Sequence, residues 1–298
     1  HDPYTAQQVL QKRLLENHGY RVVTSPIDSL PDTLRVWDEA ERKIYLSEAL
    51  DHQNRTFQLA HALCFIEFSD VLDAITGSTS FTSESHAARC HVELANYFAA
   101  AFLMPYDAFL DKAEETRYDL DRLAAAFAVS IEQAAQRLTT LQRDGRRGVP
   151  FFFLRIDKAG NVTKRFNATS FSIAEYGGAC PVWNVHVAFR TPGVLLPQLV
   201  ELPDGQQFFT ISRTTERPVY SMETQDRRLA IALGCESQHA HRVIYASGLD
   251  LSPSGAASKI GINCHLCPRH DCGQRAYDPI VTELTTDTKR RGETRYES

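Results

Sequence analysis

The chain has 298 residues, a formal net charge of −5, 43% hydrophobic and 23% charged residues, 15 glycines and 13 prolines. This composition excludes fibrous and low-complexity proteins, and no uninterrupted apolar run reaches the roughly 18 residues of a membrane helix. The acidic balance argues against a dedicated nucleic-acid-binding chain, because such domains usually carry a basic face.

At about 150 residues per domain the length predicts two domains, each with its own core. The first residues are polar and show no signal-peptide pattern, and the seven cysteines are an odd number. A cytoplasmic chain with reduced thiols is therefore expected rather than a disulfide framework.

In chain order, Val9, Leu10, Leu14 and Leu15 recur at helical spacing before Gly19, a natural helix stop. Residues 20–23 follow, then a loop, and residues 34–37 and 43–46 read as a short strand pair. Residues 54–68 are apolar with helical period, and 84–104 form an alanine-rich helix closed by Pro105. Within 120–141 two short helical patterns flank Ser130, as in a helix-turn-helix. Gln133, Gln136 and Arg137 could reach bases from the second helix, yet a packing role is favoured because Arg137 and Arg143 alone add positive charge there.

Residues 144–150, with two glycines, two arginines and a proline, form the best domain boundary. Beyond it the texture is that of strands. Residues 151–156 and 162–166 read as one hairpin and 199–202 with 207–212 as another, while 181–190 and 227–233 look helical or mixed. The division is 1–148, 149–280 and a flexible tail over 281–298.

Two constellations carry chemistry. A zincin helix needs His-Glu-x-x-His, because positions i and i+4 share one face and can hold one Zn²⁺ while the Glu activates its water. Here His61 takes the first place, but Ala62 stands where the base belongs and Phe65 where the second ligand belongs. The helix around Glu93, Asn96, Phe98, Leu103 and Met104 resembles the third-ligand helix of the ImmA/IrrE group of zinc metallopeptidases, which aligns Glu93 with the third ligand. The first domain is thus expected to be a degenerate, inactive peptidase. A metal on His61, Glu93 and Cys64 is one reading, and a buried His–Glu hydrogen bond without metal is the favoured one.

The second constellation is Cys264, Cys267 and Cys272, spaced C-x2-C-x4-C with His265 and His270 interleaved. The first pair has the spacing of a metal knuckle. Four ligands are wanted for structural zinc, and Cys235 is the preferred fourth, with Cys180 and His270 as alternatives. Small buried thiols without metal are the other reading.

Residues 81–90, 150–155, 157–161, 180–186, 202–205 and 260–276 together are similar to the short-chain fatty acyl transcriptional regulators. That resemblance covers nearly the whole chain. It implies an α+β protein: the degenerate zincin domain, then a mixed α/β effector domain with the cysteine cluster. It also implies a cytoplasmic homodimer and an XRE-type helix-turn-helix, outside the present sequence, that contacts promoter DNA. The implied effector is a short-chain acyl-CoA, propionyl-CoA before acetyl-CoA, governing genes of short-chain fatty acid and propionate metabolism without enzymatic activity.

A CoA ester needs Arg or Lys donors for its phosphates and a short apolar pocket for its acyl tail. Arg213, Lys259, Arg269 and Arg275 are the favoured phosphate ligands, from a wider cationic set that includes Arg227. Phe152, Trp183, His186 and Phe189 are the favoured pocket residues, with Trp183 and His186 expected one helical turn apart; ordinary core is the alternative for the aromatics. The rival function is a working zinc metallopeptidase of the ImmA/IrrE type that cleaves a repressor.

Overall fold

The computed structural model describes residues 2–30, 33–173, 178–215, 228–252, 256–284 and 289. The chain divides into two units, one of residues 1–112 and 120–137, the other of residues 113–119 and 138–298.

In the first unit α1 (Ala6–His18) buries Ala6, Leu10 and Leu14. It stops at Gly19, whose φ of 72° turns its amide back onto the Leu14 and Leu15 carbonyls. Next come β1 (Arg21–Ser25), β2 (Arg35–Asp38) and β3 (Lys43–Ser47), in sheet order β1-β3-β2. β3 is parallel to β1 and antiparallel to β2, so the expected strand pair is part of a three-stranded sheet with β2 at one edge. α2 (His52–Gly77) starts where the Asp51 carboxylate accepts the Asn54 N–H at 2.7 Å, and it kinks at Phe68. α3 (Glu84–Leu103) is capped by Ser83. Leu10, Leu14, Ile44, Leu46, Leu59 and Leu63 form one core of helices and sheet, each side chain contributing about 1.5–3 kcal/mol of apolar burial.

Pro105 ends α3 and also opens a further helix, α4 (Tyr106–Glu115), by accepting the Phe109 N–H. A proline costs nothing at a helix start, where its missing N–H would have no partner anyway. α5 (Leu120–Phe127) and α6 (Ile131–Leu138) form the expected helical pair, joined through Ala128 at φ 51°. Ser130 and Gln133 cap each other reciprocally: the Gln133 N–H donates to Ser130 Oγ and the Ser130 N–H to Gln133 Oε1. Gln133 and Arg137 are buried, and Arg137 donates to the Met104 carbonyl while its guanidinium lies over the Tyr97 and Tyr106 rings. Two of the three residues proposed to reach bases are therefore packed inside, and the pair is a packing element.

The second unit is built on β4 (Phe152–Ile156), β5 (Val162–Asn167), β6 (Leu196–Glu201), β7 (Gln207–Thr215), β8 (Leu229–Glu236) and β9 (Ser258–Lys259). Their order is β5-β4-β8-β7-β6-β9, antiparallel except for the β6–β9 pair. Both expected hairpins are present. Residues 228–233 were expected to be helical or mixed; instead they lead into β8, a central strand whose residues 230–235 are all buried, so their apolar run has no alternation to betray a strand. Residues 181–186 are turns, followed by a 3-10 helix over Val187–Arg190. Arg227 and most of the expected tail, 285–288 and 290–298, lie outside the described residues.

Candidate functional site

The zincin-like position comes first. His61 sits on α2, 6% exposed, with the Phe65 ring 5.2 Å away, centroid to centroid. Arg35 of β2 donates from Nη1 to His61 Nδ1 at 3.0 Å and to the Gln58 carbonyl at 2.8 Å. The Val92 backbone carbonyl acts to favour the protonated ring. Burial, then the Arg35 charge, pushes the His61 pKa down to about 4, and burial lowers that of Arg35 to about 10. The ring is therefore neutral at pH 7, and neither nitrogen has a lone pair to spare.

Glu93 is exposed and accepts from Asn96 at 3.5 Å. The expected His61–Glu93 hydrogen bond is replaced by the Arg35–His61 bond. Cys64 is buried, where desolvation raises its thiol pKa. Among the described residues no three His, Cys, Asp or Glu side chains stand close enough together to hold a metal ion.

The cysteine segment forms the second place. Cys264, Cys267 and Cys272 line one small cavity, together with Cys180, Lys259, Arg269 and Arg275. It has room for about one water-sized group. Cys180 is buried, which raises its pKa, while backbone N–H groups of Gly261 and Val182 act in the opposite direction; Cys264 and Cys272 are near enough to act on its charge. The backbone approaches the thiols closely at Gly261, where an added Cβ would lie 2.7 Å from Cys267 Sγ.

Arg275 is 4% exposed and holds the segment from inside. Nη1 donates to the Cys264 and Tyr277 carbonyls at 3.0 and 3.3 Å, and Nη2 to those of Cys267 and Arg269. Its Nε is buried without a partner. Arg269 donates to the Ile260 and Glu201 carbonyls and faces the Glu201 carboxylate at 3.6 Å.

The structure thus brings Cys264, Cys267, Cys272, Lys259, Arg269 and Arg275 together and adds Cys180, the alternative fourth cysteine. Cys235 lies elsewhere, buried in β8 opposite Phe209, where burial pushes its thiol up to about 12 and the charges acting on it are those of Glu236 and Arg242. Arg213 is in β7.

The aromatic set falls in the core of the second unit. Phe152 stacks on Phe171 at 4.0 Å, and Trp183 packs against both while its Nε1 donates to Thr210 Oγ1. Phe189 packs on the same cluster. His186, its pKa lowered by burial, bonds to the Ala179 carbonyl. Phe171 and Phe208 complete the cluster and were not singled out in the sequence, where lone phenylalanines carry no spacing that would mark them.

Two family models match the chain. One described as "Short-chain fatty acyl coenzyme A regulator, C-terminal" matches residues 140–296, and one described as "IrrE N-terminal-like domain" matches residues 15–139. The "HTH-type transcriptional regulator RamB" of Mycobacterium tuberculosis is 42% identical over 283 residues, 94% of this chain and 60% of the relative. The "Propionyl-CoA carboxylase regulator" of Cereibacter sphaeroides is 48% identical over 241 residues, 81% of this chain and 52% of the relative. The chain thus spans little more than half the length of these curated relatives. A solved structure described as "Mycobacterium tuberculosis transcriptional regulator" superposes with a TM-score of 0.90 at 36% identity, covering 98% of this chain and 88% of that one.

Proposed function

Because the chain belongs to the short-chain fatty acyl coenzyme A regulator family, we propose that it is the ligand-sensing part of a transcriptional regulator. Its effector is a short-chain acyl-CoA, with propionyl-CoA favoured over acetyl-CoA, and its second unit holds the binding site. The observation that carries this reading is the family match over residues 140–296, which takes in all six strands of that unit. Promoter contact is assigned to a helix-turn-helix of the kind named in the RamB relative, and the working form to a homodimer. The effector acts by preferring one arrangement of that dimer, which shifts its population. No helix among the described residues is long and apolar enough to cross a membrane.

Isothermal titration with propionyl-CoA, acetyl-CoA and free CoA tests the reading. Saturable heat with an acyl-CoA supports it, and no heat with any of the three overturns it. One methylene separates propionyl from acetyl, so the two affinities should differ by about 1–3 kcal/mol. Of the three cations at the cysteine cavity, Arg269 and Arg275 already donate to backbone carbonyls, which leaves exposed Lys259 as the phosphate contact of choice. Lys259→Ala should weaken binding about tenfold.

We further propose that Cys264, Cys267, Cys272 and Cys180 hold a structural metal, zinc by preference. Thiolates suit zinc or an iron–sulfur centre, and the buried Arg275 Nε at the same cavity favours a negatively charged thiolate assembly. The thiols would have to draw together around the ion. Zinc and iron content of Cys264→Ser, Cys180→Ser, Cys235→Ser and His61→Ala variants decides this. Loss with the first two and retention with the last two is expected; metal that leaves with His61→Ala instead would revive the metallopeptidase reading.

A further inference from the structure

Arg35 presents an unused half of its guanidinium. Among the described residues its Nη1 is the one nitrogen with hydrogen bonds, to the Gln58 carbonyl and His61 Nδ1. The Nε–H and Nη2–H pair on the opposite edge makes none, and no described carboxylate acts on the Arg35 charge. The same donor pair is filled elsewhere in this protein: Arg13 Nε and Nη2 grip the two oxygens of Glu67 at 2.6 and 2.7 Å. A planar fork of this kind matches a carboxylate in bidentate fashion.

We propose that the free fork of Arg35, seated against His61 where an active zincin would carry its metal, is a carboxylate-binding site. It is independent of the acyl-CoA site assigned to the second unit. Three observations support it. Arg35 is part-buried, neither sealed in the core nor fully exposed, so its charge is poorly hydrated. His61 is neutral at pH 7 and adds no second cation, so the site offers one positive charge, which fits a monoanion better than a phosphate dianion. Nη1 is anchored at both the Gln58 carbonyl and His61, which pre-orients the fork and lowers the entropic cost of binding.

The carboxylate has two possible sources, a free short-chain acid or an acidic side chain of a protein segment. The test follows the Arg35 Nε–H resonance in ¹H–¹⁵N spectra of the whole 298-residue chain. Propionate and the peptide acetyl-Ala-Glu-Ala-amide are titrated separately at constant ionic strength, with chloride and inorganic phosphate as controls. A saturable shift with propionate alone identifies a free acid as the ligand, one with the peptide alone identifies a protein segment, and either supports the site, as does a response to both. Arg35→Lys keeps the charge but removes the fork and should weaken the response at least about tenfold. No saturable shift with either carboxylate, or an equal shift with chloride or phosphate, overturns the proposal, and this wild-type measurement decides even if the variant fails to fold.

Discussion

Replacing Arg275 by Met tests whether this one buried cation holds the cysteine segment in place. Methionine is unbranched and fills much of the space, so the change removes donors and charge rather than volume. Four backbone carbonyls, those of Cys264, Cys267, Arg269 and Tyr277, lose a charged donor. Each such bond contributes about 1.5–3 kcal/mol when its partner is left behind, but carbonyls in a partly exposed loop regain water, so a net loss of about 3–5 kcal/mol is expected. The loss falls on residues 260–277 and not on the β-sheet, and it lowers the cost of opening that segment locally. Cys267 is 7% exposed and reports on the opening. At about 1.4 kcal/mol per tenfold, a 3 kcal/mol loss accelerates its maleimide labelling, in chelator-treated protein, by roughly a hundredfold or more. Arg275→Lys, which cannot reach four carbonyls at once, should fall between. A labelling rate in Arg275→Met within about twofold of wild type would refute the reasoning, because it would mean that the four bonds do not limit opening.

Four more expectations follow from the structure. His61 takes up its proton near pH 6.5 when unfolded but near 4 when folded, so the unfolded chain binds more protons in that window and stability falls as pH drops through it, by about 3 kcal/mol in total; His61→Gln should flatten that slope in urea titrations at pH 7, 5.5 and 4.5. Gly234→Ala puts a Cβ 2.5 Å from the Phe152 ring and 2.8 Å from the Phe209 carbonyl oxygen, and should cost about 1–3 kcal/mol in urea unfolding; an unchanged midpoint would show that β8 and β4 can move apart. Ser130→Ala removes one half of the reciprocal cap of α6 and should cost about 1 kcal/mol while leaving any residual DNA binding of this chain, followed by fluorescence anisotropy, unaltered. Restoring the zincin pattern with Ala62→Glu and Phe65→His should not yield stoichiometric zinc unless Arg35 is also replaced by Val, as judged by metal analysis of the double and triple variants.

What the sequence conveyed depended on whether the physics was local. The stop of α1 at Gly19, the Ser130 cap and the two hairpins were legible because spacing and turn residues act over a few positions. β8 is not legible as a strand because residues 230–235 are buried, which erases the alternation that distinguishes one. α4 is hidden in the sequence because Pro105 both closes α3 and opens the next helix, and only Asp107 in the following turn marks that start. At the sites the limit was long-range pairing. The loss of the zincin base and second ligand could be read at Ala62 and Phe65, but that His61 would meet Arg35, 26 positions earlier and on another element, could not. Likewise nothing local separates Cys180 from Cys235 as a neighbour of Cys264, since both follow small residues and both are buried.

The Arg35–His61 pair gives the IrrE N-terminal-like domain a contact that needs no metal. A zinc ligand must present a deprotonated nitrogen lone pair to a cation, and His61 instead presents its Nδ1 lone pair to a guanidinium. Once Arg35 supplies the positive charge, a divalent ion at the same ring would face both repulsion and a spent lone pair. Ala62 and Phe65 stand at the base and second-ligand positions of a zincin helix, and the arginine places a positive charge beside His61, so α2 and β2 are bridged there without a metal. The bridge uses only Nη1, and the part-buried charge that remains is balanced by no described carboxylate. A fold that retains such a charge pays a desolvation cost that a bound anion would offset, and that is the physical reason for seeking a ligand there.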